Sequence, residues 1–151
     1  MNASTHPSEA SPLLDVQRDA RGVVRLTLND PQRFNALGEQ MLTQLQQALD
    51  DVARDESVRV VVLAAAGKAF CAGHNLKDMA AHPQLDYYQK LFAQCSRMML
   101  SIHRLPVPVI ARVHGIATAA GCQFVAMCDL AVAAREARFA VSGVNLGLFC
   151  S

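Results

Sequence analysis

Neither sign of charge dominates this sequence. The chain carries 14 Lys and Arg against 13 Asp and Glu, a formal net charge of +1. Such a balance gives no basic face for nucleic acid and no pull toward an anionic membrane surface. No apolar run approaches the ~18 residues that span a bilayer. The most apolar tract, 106–134, is interrupted by Arg112, His114, Gln123 and Asp129. The cysteines (Cys71, Cys95, Cys122, Cys128, Cys150) form an odd set without a CxxC pair. That argues against a disulfide scaffold and for reduced thiols inside a cell, in the cytoplasm or, in a eukaryote, the mitochondrial matrix. The histidines show neither HxxxH nor Cys/His ligand spacing, so no metal site is expected. Residues 1–12 (MNASTHPSEASP) lack the apolar stretch of a secretory signal and the arginines of a transit peptide. They read as a disordered tail ahead of a folded region over 13–151. Neither an internal repeat nor a low-complexity segment is visible.

Hydrophobic residues make up 52% of the chain and charged ones 18%, enough to build one domain with its own core. Residues 23–29 (VVRLTLN) alternate apolar and polar and predict a strand, paired with 13–16 across a turn at 20–22. From 38 to 54, Met41, Leu42, Leu45, Ala48, Leu49 and Val52 recur at helical spacing, which predicts an amphipathic helix. Residues 58–64 (VRVVVLA) suit a strand buried on both faces. A second helix is expected over 85–105, with an apolar stripe of Leu91, Phe92, Cys95, Met98, Met99 and Ile102. Pro106-Val107-Pro108 ends it, since proline cannot continue the hydrogen-bond ladder. A strand at 109–113, a short helix at 119–128 and a strand at 130–134 follow. This alternation is α/β logic with crossover connections.

Two segments carry the chemistry. Residues 68–79 read KAFCAGHNLKDM, and 114–133 read HGIATAAGCQFVAMCDLAVA. Cys71-Ala72-Gly73 lies beyond a strand and the Gly67 turn. Thr118-Ala119-Ala120-Gly121 opens a helix, where unpaired N–H groups and the dipole favour negative charge. Taken singly, each is equally an ordinary tight turn. Together, in this order, they resemble the crotonase superfamily, the enoyl-CoA hydratase/isomerase family. The resemblance spans nearly all of 13–151. It implies a spiral of repeated ββα units and an acyl-CoA ligand or substrate, with no other cofactor. It also implies a homotrimeric or hexameric parent that continues beyond Ser151 into a C-terminal helical region, so the chain reads as the N-terminal part of such a protein.

By the same resemblance, the N–H groups of Ala72 and Ala120 are the two donors of an oxyanion hole. Gly73, His74 and Asn75 lie along the bound coenzyme A. Arg33-Phe34-Asn35-Ala36-Leu37 looks like an early coenzyme A loop, with Arg33 either on a phosphate or solvated and Ala36 near the adenine. Asn75 stands where relatives place aspartate, and it can cap a helix beginning near Leu76. Two further departures bear on the reaction. Hydratases of this family use two glutamates as general acid and base. Gln123 and Gly143 occupy those positions, and neither can take or give a proton. Ordinary hydration of a 2-enoyl thioester is therefore not expected. His74, inside the first of these loops, is either a substitute for the missing acids or a polar residue toward solvent or the ribose. Ser142, Asn145 and Cys150 read as packing or backbone-bonding residues, and Cys122 as a small buried hydrophobe. Lys77 and Asp78 read as solvated. The set AAGCQ, PVPVIA and GVNLGLFCS resembles a subgroup that lacks both acids. Three functions remain open: an acyl-CoA enzyme of decarboxylase or thioesterase type, a non-catalytic acyl-CoA-binding or assembly subunit, and an inert fragment. The Ala-Gly-His and Val-Asn-Leu-Gly stretches also resemble methylmalonyl-CoA decarboxylase, although its tyrosine is matched here by Cys150.

Overall fold

The computed structural model describes residues 12–147. Residues 1–11 of the expected tail, and Cys150 with its neighbours, lie outside the described residues. The chain opens with β1 (Leu14–Arg18) and β2 (Val23–Leu28), the expected hairpin, antiparallel with Leu14 opposite Leu28. A 3₁₀ turn at Pro31–Arg33 leads into α1 (Glu39–Arg54). All six apolar positions that predict this helix are buried: Met41, Leu42, Leu45, Ala48, Leu49 and Val52. Each large aliphatic side chain contributes about 1.5–3 kcal/mol by leaving water.

From there the backbone repeats a unit of long strand, short strand and helix. The first round is β3 (Val60–Ala65), β4 (Ala69–Cys71) and the helices α2 (Leu76–Ala81) and α3 (Leu85–His103). The second is β5 (Val109–Val113), β6 (Ile116–Thr118) and α4 (Ala120–Ala126). The third is β7 (Leu130–Ala133), β8 (Arg138–Ala140) and a 3₁₀ helix at Ser142–Leu146. The long strands join a five-stranded sheet ordered β1-β2-β3-β5-β7, parallel from β2 onward. The short strands form a separate parallel sheet, β4-β6-β8. This is the expected spiral of ββα units.

Three expectations need correction. The short strands of the second sheet were not foreseen as strands, because three residues carry no readable period. The segment expected to be buried on both faces buries Val58, Val61, Leu63 and Ala64 but leaves Val60 and Val62 half-buried, so one face of β3 is covered only in part. Phe92 leaves the core stripe of α3 and is exposed at 40%, whereas Leu91, Cys95, Met98, Met99 and Ile102 are buried as expected. The core lies between the large sheet and α1 and α3, with Leu26, Leu45, Leu63, Met98 and Ile102 fully enclosed. The small sheet closes one end of it. There Phe70 of β4 packs on Phe124 of α4, ring centroids 6.2 Å apart.

Candidate active site

The small sheet sets the geometry. Chain leaving β4 lies beside the loop at 34–37, with Leu37 and His74 forming a parallel bridge. The N–H of Ala72 donates to the Phe34 carbonyl at 3.0 Å, and the N–H of Leu37 donates to the Gly73 carbonyl at 2.8 Å. Between these bonds Gly73 turns with φ +89°, a conformation that favours glycine. The Ala72 N–H is thus already paired, which corrects its assignment as an oxyanion donor. Beyond the Gly73 turn comes the amide of His74. Among the described residues that N–H has no acceptor.

The His74 ring is fixed from the same loop. Its Nδ1 lies 3.2 Å from the Leu37 carbonyl oxygen. A carbonyl can only accept, so Nδ1 carries the proton and Nε2 of the neutral ring is a free base. Phe92 packs edge-on against the ring, with centroids 5.1 Å apart. Burial pushes the imidazole below its ordinary value of 6.5, and the Leu37 carbonyl partly opposes this. Asn75 caps α2 as expected: its Oδ1 accepts from the Lys77 N–H at 3.1 Å, while its Nδ2 donates to Asp78 Oδ2 at 2.7 Å.

The opposite wall is the start of α4. Ala119 adopts φ +51°, ψ −128° and donates to the Ala140 carbonyl of β8 at 2.9 Å. Its own carbonyl accepts from Cys122 and Gln123, at 2.9 and 3.2 Å. That positive φ costs a non-glycine residue of order 1–3 kcal/mol. It turns the helix so that the Ala120 N–H is left without an acceptor among the described residues. Gly121 lets α4 touch β4, since a Cβ there would collide with the Cys71 carbonyl oxygen. The two walls meet at Gly73, where a Cβ would stand 3.2 Å from the Ala120 nitrogen. The loop holding His74 and the first amide of α4 are therefore in direct contact.

Between the walls lies a cavity of about 590 Å³. It brings together Ala72, His74, Ala120, Gln123 and Gly143 of the expected site, with Leu76, Met79, Phe92 and Met99 as apolar lining. Ser142 also faces it, its hydroxyl 2.6 Å from that of Thr118. Among the described residues that line it there is no Asp, Glu, Lys or Arg. Cys122 lines the cavity and is only half-buried, which corrects its reading as a buried hydrophobe. Cys95 borders it as well, its thiol pushed up to about 11 by burial. Arg33 and Ala36 do not line this cavity. Arg33 is largely exposed and 3.4 Å from Asp30, and Ala36 is half-buried on the loop behind His74.

Asn35 escaped the sequence analysis as a structural residue. It is fully buried at φ +54°. Its Oδ1 accepts from the Asp30 N–H at 2.8 Å, and its Nδ2 donates to the carbonyls of Ala66 and Ala69 at 2.8 and 2.9 Å. The available signal was weak: asparagine tolerates positive φ and bonds to nearby backbone.

Residues 18–151 match the family model described as enoyl-CoA hydratase/isomerase. Enoyl-CoA hydratase domain-containing protein 3, mitochondrial, from Xenopus laevis is 46% identical over 151 residues, covering 100% of this chain and 51% of that protein. A 1,2-epoxyphenylacetyl-CoA isomerase of Escherichia coli is 36% identical, over 85% of this chain and 50% of its own length. Among solved structures, an enoyl-CoA hydratase of Mycobacterium smegmatis superposes with a TM-score of 0.91 at 71% identity, covering 93% of this chain and 55% of that one. Human enoyl-CoA hydratase domain-containing protein 3 gives 0.86 at 42% identity, over 92% and 55%. The chain spans about half the length of the curated relatives it matches. The repeated ββα spiral, the meeting of β4 with α4 and these similarities have one reading: the chain belongs to the enoyl-CoA hydratase/isomerase, or crotonase, family.

Proposed function

We propose that the cavity binds an acyl-CoA thioester, with the thioester oxygen between the backbone N–H groups of His74 and Ala120. The observation that carries this is the pair of unpaired amides on two touching walls of one apolar cavity. Two such donors stabilise the negative charge of an enolate or tetrahedral oxyanion without any side chain, and losing one typically costs ~3 kcal/mol of transition-state stabilisation. The relatives with coenzyme A thioesters in their names support the same ligand class.

The reaction proposed is not enoyl-CoA hydration. Gln123 has an amide where a proton-transferring acid would be needed, and Gly143 has no side chain. Among the described residues the lining carries no carboxylate, which favours a thioester enolate formed without one, as in loss of carbon dioxide, or ligand binding without turnover. A trimeric or hexameric parent, and a cytoplasmic or mitochondrial matrix location, belong to the same proposal.

Titration calorimetry with crotonyl-CoA and acetyl-CoA tests the binding. Saturable binding is expected, and Ala120→Pro should weaken it about tenfold, the worth of one hydrogen bond. Proline is tolerated at the first position of a helix and removes that N–H, but it also constrains Ala119 before it, so the variant's unfolding is compared with the parent's. Equal binding by a variant that unfolds like the parent would refute the assignment of Ala120. Rapid hydration of crotonyl-CoA would refute the exclusion of hydratase activity.

A further inference from the structure

Among the described residues that line the cavity, His74 is the one imidazole, and none of them is a carboxylate that competes with it. Its Nδ1–H is spent on the Leu37 carbonyl, so the lone pair of the neutral ring is on Nε2. The Phe92 ring holds the imidazole from its edge. The backbone N–H of the same residue is unpaired. One residue therefore offers a donor for a thioester oxygen and, one side chain away, a base for a neighbouring carbon.

We propose that His74 Nε2 removes and returns the α-proton of an acyl-CoA thioester whose α-carbon is acidified by a second group, a carbonyl or an aryl ring. This rests on the reading of the cavity as an acyl-CoA site. In the forward step the α C–H bond breaks and an Nε2–H bond forms. The electron pair passes to the thioester oxygen, giving an enolate held by the N–H groups of His74 and Ala120. The reverse step returns the proton from the imidazolium to the α-carbon, so the net chemistry needs no oxidant, reductant or water.

The restriction to activated thioesters follows from the surroundings of the ring. Burial disfavours the imidazolium, and among the described residues that line the cavity no acidic side chain compensates for it. From the loop at 34–37 the ring meets a carbonyl, and Arg33 of that loop is turned out toward Asp30. On α2, Lys77 and Asp78 are exposed, and Asp78 is bonded to Asn75. On α3 the neighbours are Phe92 and the protonated Cys95 thiol. On α4 they are Cys122 and the neutral amide of Gln123. A base without a carboxylate partner is weak, and it matches a correspondingly acidic C–H. The aliphatic and aromatic lining from Leu76, Met79, Phe92 and Met99 suits an apolar acyl group.

Deuterium exchange at the α-carbon of phenylacetyl-CoA, read by mass spectrometry in heavy water, tests the step. Its benzylic C–H is activated yet exchanges slowly in buffer. The full chain at saturating thioester should exchange it ~100-fold faster than buffer, the usual scale of a positioned base. The rate should fall as pH is lowered, with an inflection below 6.5. His74→Asn keeps a donor for the Leu37 carbonyl and removes Nε2, so its rate at saturation should drop to that of buffer. Saturable binding with exchange at the buffer rate, or a His74→Asn rate equal to that of the parent, overturns this proposal and leaves the binding site intact. Absence of saturable binding overturns the binding site and this proposal with it. Should His74→Asn not fold, ¹⁵N resonances of the parent decide. A His74 Nε2 that is unprotonated at neutral pH and shifts on thioester binding supports the role. One that is protonated or unmoved overturns it.

Discussion

The two walls of the cavity are built from the same small-residue material but are held in different ways. The wall at 72–74 is fastened to a loop almost 40 positions earlier in the chain, by the Ala72–Phe34, Leu37–Gly73 and His74–Leu37 hydrogen bonds. The wall at 119–123 is fastened locally. A strained Ala119 opens the helix, and a single backbone bond to Ala140 ties it to β8. The first wall carries the imidazole of His74, and the second carries the Cys122 thiol and Gln123, whose amide takes no proton. The comparison teaches that an anion-binding backbone needs only helix starts, tight turns and bare contacts. Proton transfer needs a side chain as well, and on the first wall the imidazole of His74 offers one.

The largest expected effect comes from loosening the first wall at its root. Asn35→Ala removes three hydrogen bonds and leaves the Asp30 N–H and the carbonyls of Ala66 and Ala69 without partners. A loss of about 3 kcal/mol in urea unfolding is expected. Acyl-CoA binding should weaken as well, because the loop that positions His74 is released. A loss below about 1 kcal/mol would mean that this wall is not held by Asn35. Next comes the contact between the walls. Gly121→Ala drives a Cβ into the Cys71 carbonyl oxygen, and overpacking of this kind typically costs about 2 kcal/mol. Thermal unfolding reads the cost, and titration with acetyl-CoA reads the separation of the amides. An unchanged melting temperature would show that the walls yield easily.

The smallest effect separates the walls by pH. His74 is held below its ordinary value of 6.5 by burial, so the folded state takes up its proton less readily than the unfolded chain does. Its contribution to stability is then present above pH 6.5 and is lost as pH falls through the lower folded-state value. His74→Asn should flatten that part of the stability–pH curve, whereas Gln123→Ala on the other wall should leave its shape alone. A parent and a His74→Asn variant with parallel curves between neutral and mildly acid pH would remove the ring from the buried site.

Much of the framework was legible from local pattern. The hairpin, α1, α3, β5 and the cap at Asn75 each rest on contacts within a few residues or on a period long enough to read, such as Met41 to Val52 in α1. The small sheet was not legible. Residues 69–71, 116–118 and 138–140 are too short for a period, and each becomes a strand only beside the others. Arg33 and Ala36, placed by resemblance on the ligand, lie away from the cavity lining, whereas Phe92, assigned to the core by its spacing, borders it.

The sequence by itself determined the composition of the site: small residues at 72–73 and 119–121, an amide at Gln123, no side chain at Gly143 and a histidine at His74. By resemblance, those residues leave the two expected acid positions without a proton-transferring side chain. Which amides are free was decided only by the tertiary structure. Ala72 and His74 are equivalent candidates in a string of residues. Pairing with Phe34 and Leu37 occupies one N–H and leaves the other open. The physical reason is that each backbone N–H can be spent once. Its partner here comes from a distant segment that local patterning does not locate.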